Sequence, residues 1–381
     1  MTNVLRHVAA VVSTCLLLAG VALLVVTAGA TRLSSGEADA PSVLSATVPV
    51  QDIGLTVSHT LVTAAVTLIL LLVVGYASLL LGNAIGDGGN GNRIFGRAIA
   101  SWEKATARLR RPRTPGWVPI AAGMTVATII AGFVDPGFGF NLGSLRMLVS
   151  VALAFVIQNL VGWWLVRRAL RITEPDLKPG IRFKFGSLPI LLVAVILSRV
   201  VGFEPGMVFG LIVGLSFGAT LAKTRQARVV LVGAGYAFGL AMVGWLGYSI
   251  VVSTAGGAPG FWEVFASETL SGLAVSGIAA LPIALLPMAF VEGGAVFAWK
   301  KSAWALCYAI GLFSFFVILL PLPSGWGEVG APLATWVGLY VAYAVLAIGV
   351  WAWFRFTAPR VAEPAAAPAS GAASTSAGGT A

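Results

Sequence analysis

Apolar residues in this chain come in long uninterrupted runs, and polar residues gather in the gaps between them. The runs cover roughly 8–30, 59–82, 117–135, 145–166, 187–202, 206–222, 229–252, 270–299, 302–320 and 333–354. An apolar stretch of about 20 residues crosses a hydrocarbon layer as a helix rising 1.5 Å per residue. The pattern predicts an all-α, polytopic integral membrane protein of about ten transmembrane helices. The two short runs 187–202 and 206–222 read as a hairpin turning at Gly202-Phe203-Glu204-Pro205.

The gaps alternate in charge. Of the 24 Lys and Arg residues, all but Arg32, Arg146 and Arg199 fall in alternate gaps or at the ends. Basic flanks stay in the cytoplasm, so the chain is expected to be a multi-pass inner-membrane protein with both termini cytoplasmic. The acids Glu37, Asp39, Asp52, Asp135, Glu204, Glu263, Glu268 and Glu328 lie on or at the edge of the opposite side.

Composition agrees. The 381 residues are 58% hydrophobic and 10% charged, against about 25% charged in soluble domains, too few to cover a water-facing surface. The net charge of +10 is a topology signal. No soluble domain presents a basic face with interleaved aromatics, so nucleic acid is not an expected partner. Membrane lipid is: in the cytoplasmic basic loop 83–115, Ile94, Phe95, Ile99 and Trp102 can face lipid while the arginines meet headgroups. The transmembrane domain is assigned to 1–357. The Ala/Pro/Gly/Ser/Thr tail 358–381 is expected to be a disordered cytoplasmic tail. Ala28-Gly29-Ala30 resembles a cleavage site, but the preceding run of about 23 apolar residues exceeds the 7–15 of a signal peptide, and an uncleaved helix is expected.

Two segments match internally. Residues 116–140 and 186–209 both read Gly-x-Val/Leu-Pro-Ile, eleven residues, Gly-Phe, an acid, Pro and Gly, with Val134 the one insertion. The match predicts a parallel repeat of a helical hairpin. At its corners Asp135 and Glu204 are expected to cap helices whose first residues are Pro136 and Pro205. Gly210/Gly214/Gly218 and Gly235/Gly239 have the spacing that lets helix backbones approach closely.

Ionisable groups inside the hydrocarbon cost at least about 2.5–3.5 kcal/mol each and are functional candidates. Arg199 can pair with Glu204 across its corner. Arg146, at the end of its run, can snorkel. Glu292 stands out, because Pro282 and Pro287 precede it and Gly293 and Gly294 follow, so its helix is expected to be bent or broken. Broken helices place free backbone groups beside a cavity. No metal or cofactor is expected. Cys15 and Cys307 read as small hydrophobes, and the chain has no phosphate loop and no pair of carboxylates on one helix face.

Leu286-Pro287-Met288-Ala289-Phe290-Val291-Glu292-Gly293-Gly294 resembles the LP-xxx-LDGG segment of site-2 intramembrane metalloproteases, with Glu292 where that family's zinc-ligating Asp stands. The family's HExxH motif is absent, and only His7 and His59 are present. Zinc needs three protein ligands, so the resemblance implies a non-catalytic relative. Phe185-Gly186-Ser187-Leu188-Pro189, with Ser198-Arg199, Phe203-Glu204-Pro205 and Val208-Phe209-Gly210, resembles the actinobacterial membrane proteins named for an FGLLP motif. Ser187 departs from that family's Leu, and the resemblance implies a topology without an activity. The sequence therefore leads to a non-enzymatic membrane protein that binds another membrane component, a membrane-protein partner included. The alternative is a secondary transporter with Glu292 as a proton or ion coupling site.

Overall fold

The structure, a computed structural model, describes residue 42, residues 47–54, 56–86, 117–173, 180–183, 187–201, 213–216, 222–255, 259–287 and 292–320, and single positions between 338 and 352. The first apolar run, residues 87–116 of the basic loop, the Glu204 corner and the tail lie outside these residues. The elements in chain order are α1 (Val57–Gly86), α2 (Val118–Gly132), α3 (Leu142–Val156), α4 (Gly162–Thr173), β1 (Gly180–Phe183), α5 (Ser187–Val201), β2 (Val213–Ser216), α6 (Lys223–Thr254), α7 (Phe261–Ala284), α8 (Glu292–Trp299) and α9 (Lys301–Ser314). A π-helical turn at Ile157–Val161 joins α3 to α4 in one rod, and a second π turn, Phe315–Leu319, extends α9.

Five of these stretches are long and apolar enough to cross a membrane: Val57–Ala77, Leu142–Ile172, Thr224–Thr254, Phe261–Ala284 and Lys301–Leu319. The fold is that of a helical membrane protein. Its helix starts follow local chemistry. Pro119 sits in the first turn of α2, where a missing N–H costs nothing. The Gly260 amide donates to the Glu263 carboxylate at 2.9 Å, which places an acid at the positive end of α7.

α7 is the central helix. Every residue from Ser271 to Pro282 is buried, as expected for a helix apolar on all sides. It packs on α6 and α3, α2 packs on α3 and α5, and α9 packs on α1 and α8. α6 and α7 meet backbone to backbone. A Cβ on Gly277 would stand 2.7 Å from Ala241 Cβ and 2.8 Å from the Ala237 carbonyl, and one on Gly244 would stand 2.8 Å from the Leu270 carbonyl. One end of the bundle is basic, with Arg167, Arg168 and Arg171 on α4, Lys223, Arg225 and Arg228 on α6, and Lys300 and Lys301 before and on α9. α3 and α7 both start at the opposite end and run toward the basic one.

Four expectations are corrected. The run 206–222 is not helical throughout, because β2 pairs antiparallel with β1, Gly180 opposite Ser216 and Phe183 opposite Val213. Glycine at 210, 214 and 218 weakens a helix there, and residues Gly180–Phe183 in the preceding gap supply a strand partner. The corner after α2 is not a helix start. Asp135 Oδ1 accepts the Gly137 amide at 2.7 Å, closing a turn. α3 begins only at Leu142, where Asn141 Oδ1 accepts the Ser144 amide at 2.7 Å. The close approach on α6 falls at Gly244, while a Cβ at Gly235 or Gly239 would meet nothing. Finally, α7 begins at Phe261, nine residues before 270, which brings Glu268 inside the span.

Candidate functional site

The predicted candidates lie far apart. Glu292 opens α8 near the basic end, after a break that follows Ala284. Pro282 has no N–H to give the Ile278 carbonyl, which weakens the last turn of α7. The Leu285 carbonyl beyond it accepts a hydrogen bond from Trp304 Nε1 at 2.6 Å, and the Trp304 ring stacks on Tyr308 at 5.2 Å. Gly293 lies against this main chain, where a Cβ would stand 2.3 Å from the Leu285 carbonyl carbon, so no larger residue fits. Gly293 is buried, and Glu292 and Gly294 are half-buried. The broken helix expected around Glu292 is present. Asp135 lies at the other end of the bundle, in the α2–α3 corner. Glu204, Phe185 and Gly186 lie outside the described residues, as do the side chains of Arg199 and Pro189. Leu188 packs at the edge of the α2–α3 core.

The strongest charged contact joins two residues that the sequence reading kept apart. Arg146 does not snorkel: on α3 it is 2% exposed, and Glu268 on α7 is fully buried. Arg146 Nε donates to Glu268 Oε2 at 3.1 Å and Nη2 donates to Oε1 at 2.9 Å, a forked geometry specific to Arg and carboxylate. Ser150 Oγ donates to Oε2 at 3.3 Å, and the Ser42 amide donates to Oε1 at 3.3 Å. The Phe261 ring covers the guanidinium, 6.0 Å from its centroid. Charges buried in a bilayer protein survive only when paired and hydrogen-bonded in this way.

Near Ser42, residues 47–52, ending in a short 3-10 turn at Val50–Asp52, form a strap across α6 and α7. Thr47 Oγ1 shares a hydrogen bond with Ser271 Oγ. Trp245 Nε1 donates to the Val48 carbonyl at 2.8 Å, and the Val50 amide donates to Ser249 Oγ at 2.9 Å. Ser271 is ten residues into α7, about 15 Å from its start at helical rise. Irregular backbone at that depth is tolerated only where protein satisfies it, and here side chains of α6 and α7 do so.

The second polar level is deeper. Gln158 lies in the π turn between α3 and α4, about 24 Å from the start of α3 at helical rise. It is 1% exposed, and neither amide atom has a hydrogen-bond partner among the described residues. Asn159 beside it is fully buried and donates to the Phe155 carbonyl at 3.0 Å. Gly277 on α7 and Tyr236 on α6 stand at the same level. Tyr236 Oη donates to the Ile157 carbonyl at 3.5 Å, a backbone group in the π turn. Single π turns recur at functional sites because they widen the helix and redirect side chains. A buried amide with both ends unmet costs about 1–3 kcal/mol per group unless water or a ligand completes it.

Sequence reasoning did not find this level. Gln158 and Asn159 are adjacent amides in the middle of an apolar run, and that was the available signal. For Arg146 and Glu268 the signal was two opposite charges shortly after the starts of two spans that run the same way. It was hidden by placing the start of α7 too late. Among the described residues no group of three His, Cys, Asp or Glu side chains is close enough to hold a metal ion. No family model, curated protein or solved structure matches the chain.

Proposed function

We propose that the protein is a non-enzymatic secondary transporter of the inner membrane, built from about ten spans with both termini cytoplasmic. The level around Gln158 is its solute site. Of the two functions the sequence admits, partner binding and transport, one observation favours transport: the buried Gln158 amide with a donor and an acceptor both unmet, halfway along the bundle. An amide offers no net charge, so the solute this site suits is neutral and hydrogen-bonding, such as a polyol, a sugar or an amide. The α7–α8 break supports the same reading, since discontinuous helices are where transporters hold solutes and coupling ions. Glu292, at that break, is the coupling residue.

The test is uptake into proteoliposomes of a panel of radiolabelled sugars, polyols and neutral amino acids. The wild type is expected to accumulate at least one class, and Gln158→Leu, confirmed monodisperse and folded, is expected to accumulate none. Uptake by Gln158→Leu at the wild-type rate, or none by the wild type across the panel, overturns the proposal.

A further inference from the structure

Many hydroxyls on the described helices fold back on their own backbone. Thr60 donates to the Thr56 carbonyl, Thr125 to Ala121, Thr128 to Met124, Ser249 to Trp245 and Thr269 to Phe265, all at 2.9–3.0 Å. Such back-bonding is the ordinary way to bury a hydroxyl in a helix. Thr63 and Thr67 on α1 depart from it. Thr63 is fully buried and Thr67 is 5% exposed, and neither hydroxyl has a partner among the described residues. One turn before them, His59 is 5% exposed with both ring nitrogens unpartnered.

The three residues repeat every four positions, so they form one stripe down α1. It starts at the end opposite the basic one and descends about 12 Å at helical rise. Lipid does not cover it, since that is the role of Leu61, Leu68, Ile69 and Leu72, which are exposed. α9 and its π turn Phe315–Leu319 pack on α1, and a π turn widens its helix.

We infer that His59, Thr63 and Thr67 line a narrow file of water entering the bundle between α1 and α9. The spacing fits. One water accepting from one side chain and donating to the next spans two hydrogen bonds, about 5.6 Å, and successive stripe residues are about 6 Å apart along the axis. Each side chain carries the donor and acceptor that such a file requires: the imidazole one of each, the hydroxyls both. Buried water held by two to four polar groups is the usual completion of otherwise unmet groups. The file goes beyond the transport reading, because it needs no solute to exist, and it gives water a route from one face toward the interior.

Silver-ion accessibility tests it. Thr63→Cys and Thr67→Cys are placed singly in a chain carrying Cys15→Ser and Cys307→Ser, with Leu61→Cys and Leu68→Cys as lipid-facing controls. Membranes are treated with Ag⁺, then denatured and labelled with biotin maleimide. The expected result is loss of biotin labelling at 63 and 67 but not at 61 and 68. Equal labelling at all four positions overturns the inference. Hydroxyl-radical footprinting of the unsubstituted protein guards against variants that misfold: oxidation at His59 supports the file, and an unlabelled His59 overturns it. Adding Gln158→Leu is expected to leave silver protection unchanged, so failure of the file and failure of the solute site are read separately.

Discussion

Removing one partner of the Arg146–Glu268 pair is expected to destabilise the bundle strongly, and removing both is not. Glu268 accepts four hydrogen bonds, two from Arg146 and one each from Ser150 and the Ser42 amide. Glu268→Leu leaves the guanidinium buried without its counter-charge, and a guanidinium does not deprotonate, so a loss of about 3–5 kcal/mol is expected. Arg146→Met leaves a carboxylate that retains Ser150 and the Ser42 amide and can take up a proton, so its cost is expected to fall below that of Glu268→Leu. The double variant Arg146→Met/Glu268→Leu removes both charges. What remains is the loss of two ordinary hydrogen bonds, each worth about 1 kcal/mol. The double variant is therefore expected to be more stable than Glu268→Leu alone, with a large coupling in the double-mutant cycle. The assay is unfolding by SDS titration in mixed micelles, followed by Trp fluorescence. Losses that simply add, or singles that each cost under about 1 kcal/mol, would refute the reasoning by showing that the pair is solvated or unmade.

Gly277→Ala is expected to cost about 1–3 kcal/mol in the same titration, since its Cβ would stand 2.7 Å from Ala241 Cβ; a neutral result would mean that α6 and α7 are not in backbone contact there. The hydrogen bond between the Thr47 and Ser271 hydroxyls brings the two side chains into contact, so Thr47→Cys/Ser271→Cys is expected to oxidise to a disulfide and shift on non-reducing gels. If the strap moves during transport, that disulfide stops uptake and a reductant restores it; free thiols after oxidation would place the strap elsewhere. Glu292→Gln is expected to abolish gradient-coupled uptake while leaving solute exchange intact, and coupled uptake at the wild-type rate would remove Glu292 from the mechanism.

The helical membrane class was legible from the apolar runs alone, because a 30 Å hydrocarbon layer demands about 20 apolar residues whatever the protein does. The break before Glu292 was legible too, from two prolines and a glycine pair close together in the chain. What the sequence concealed depends on tertiary partners. Val213–Ser216 looks like part of an apolar helix until Gly180–Phe183 offers it a strand. Arg146 looks like a snorkelling end residue until Glu268 stands opposite at the same depth. The start of α7 was obscured because Glu263 and Glu268 lower the local hydropathy. One caps the helix and the other is paired, and hydropathy registers the charges without registering either role.

The polar groups inside the bundle fall into two kinds, and the difference bears on function. At the shallow level each donor and acceptor of the ion pair is met by protein, which holds α3, α7 and the strap together and leaves nothing for a ligand to complete. At the deeper level the Gln158 amide is met by none of the described residues, and on α1 the His59–Thr63–Thr67 stripe repeats that condition. A bilayer protein gains no stability from such groups, since Leu or Val at those positions would pack without cost. On the transport reading, something polar that visits them completes them. Removing one partner of the ion pair and removing Gln158 are therefore expected to have opposite signatures: loss of stability in the first case, and loss of uptake with stability preserved in the second.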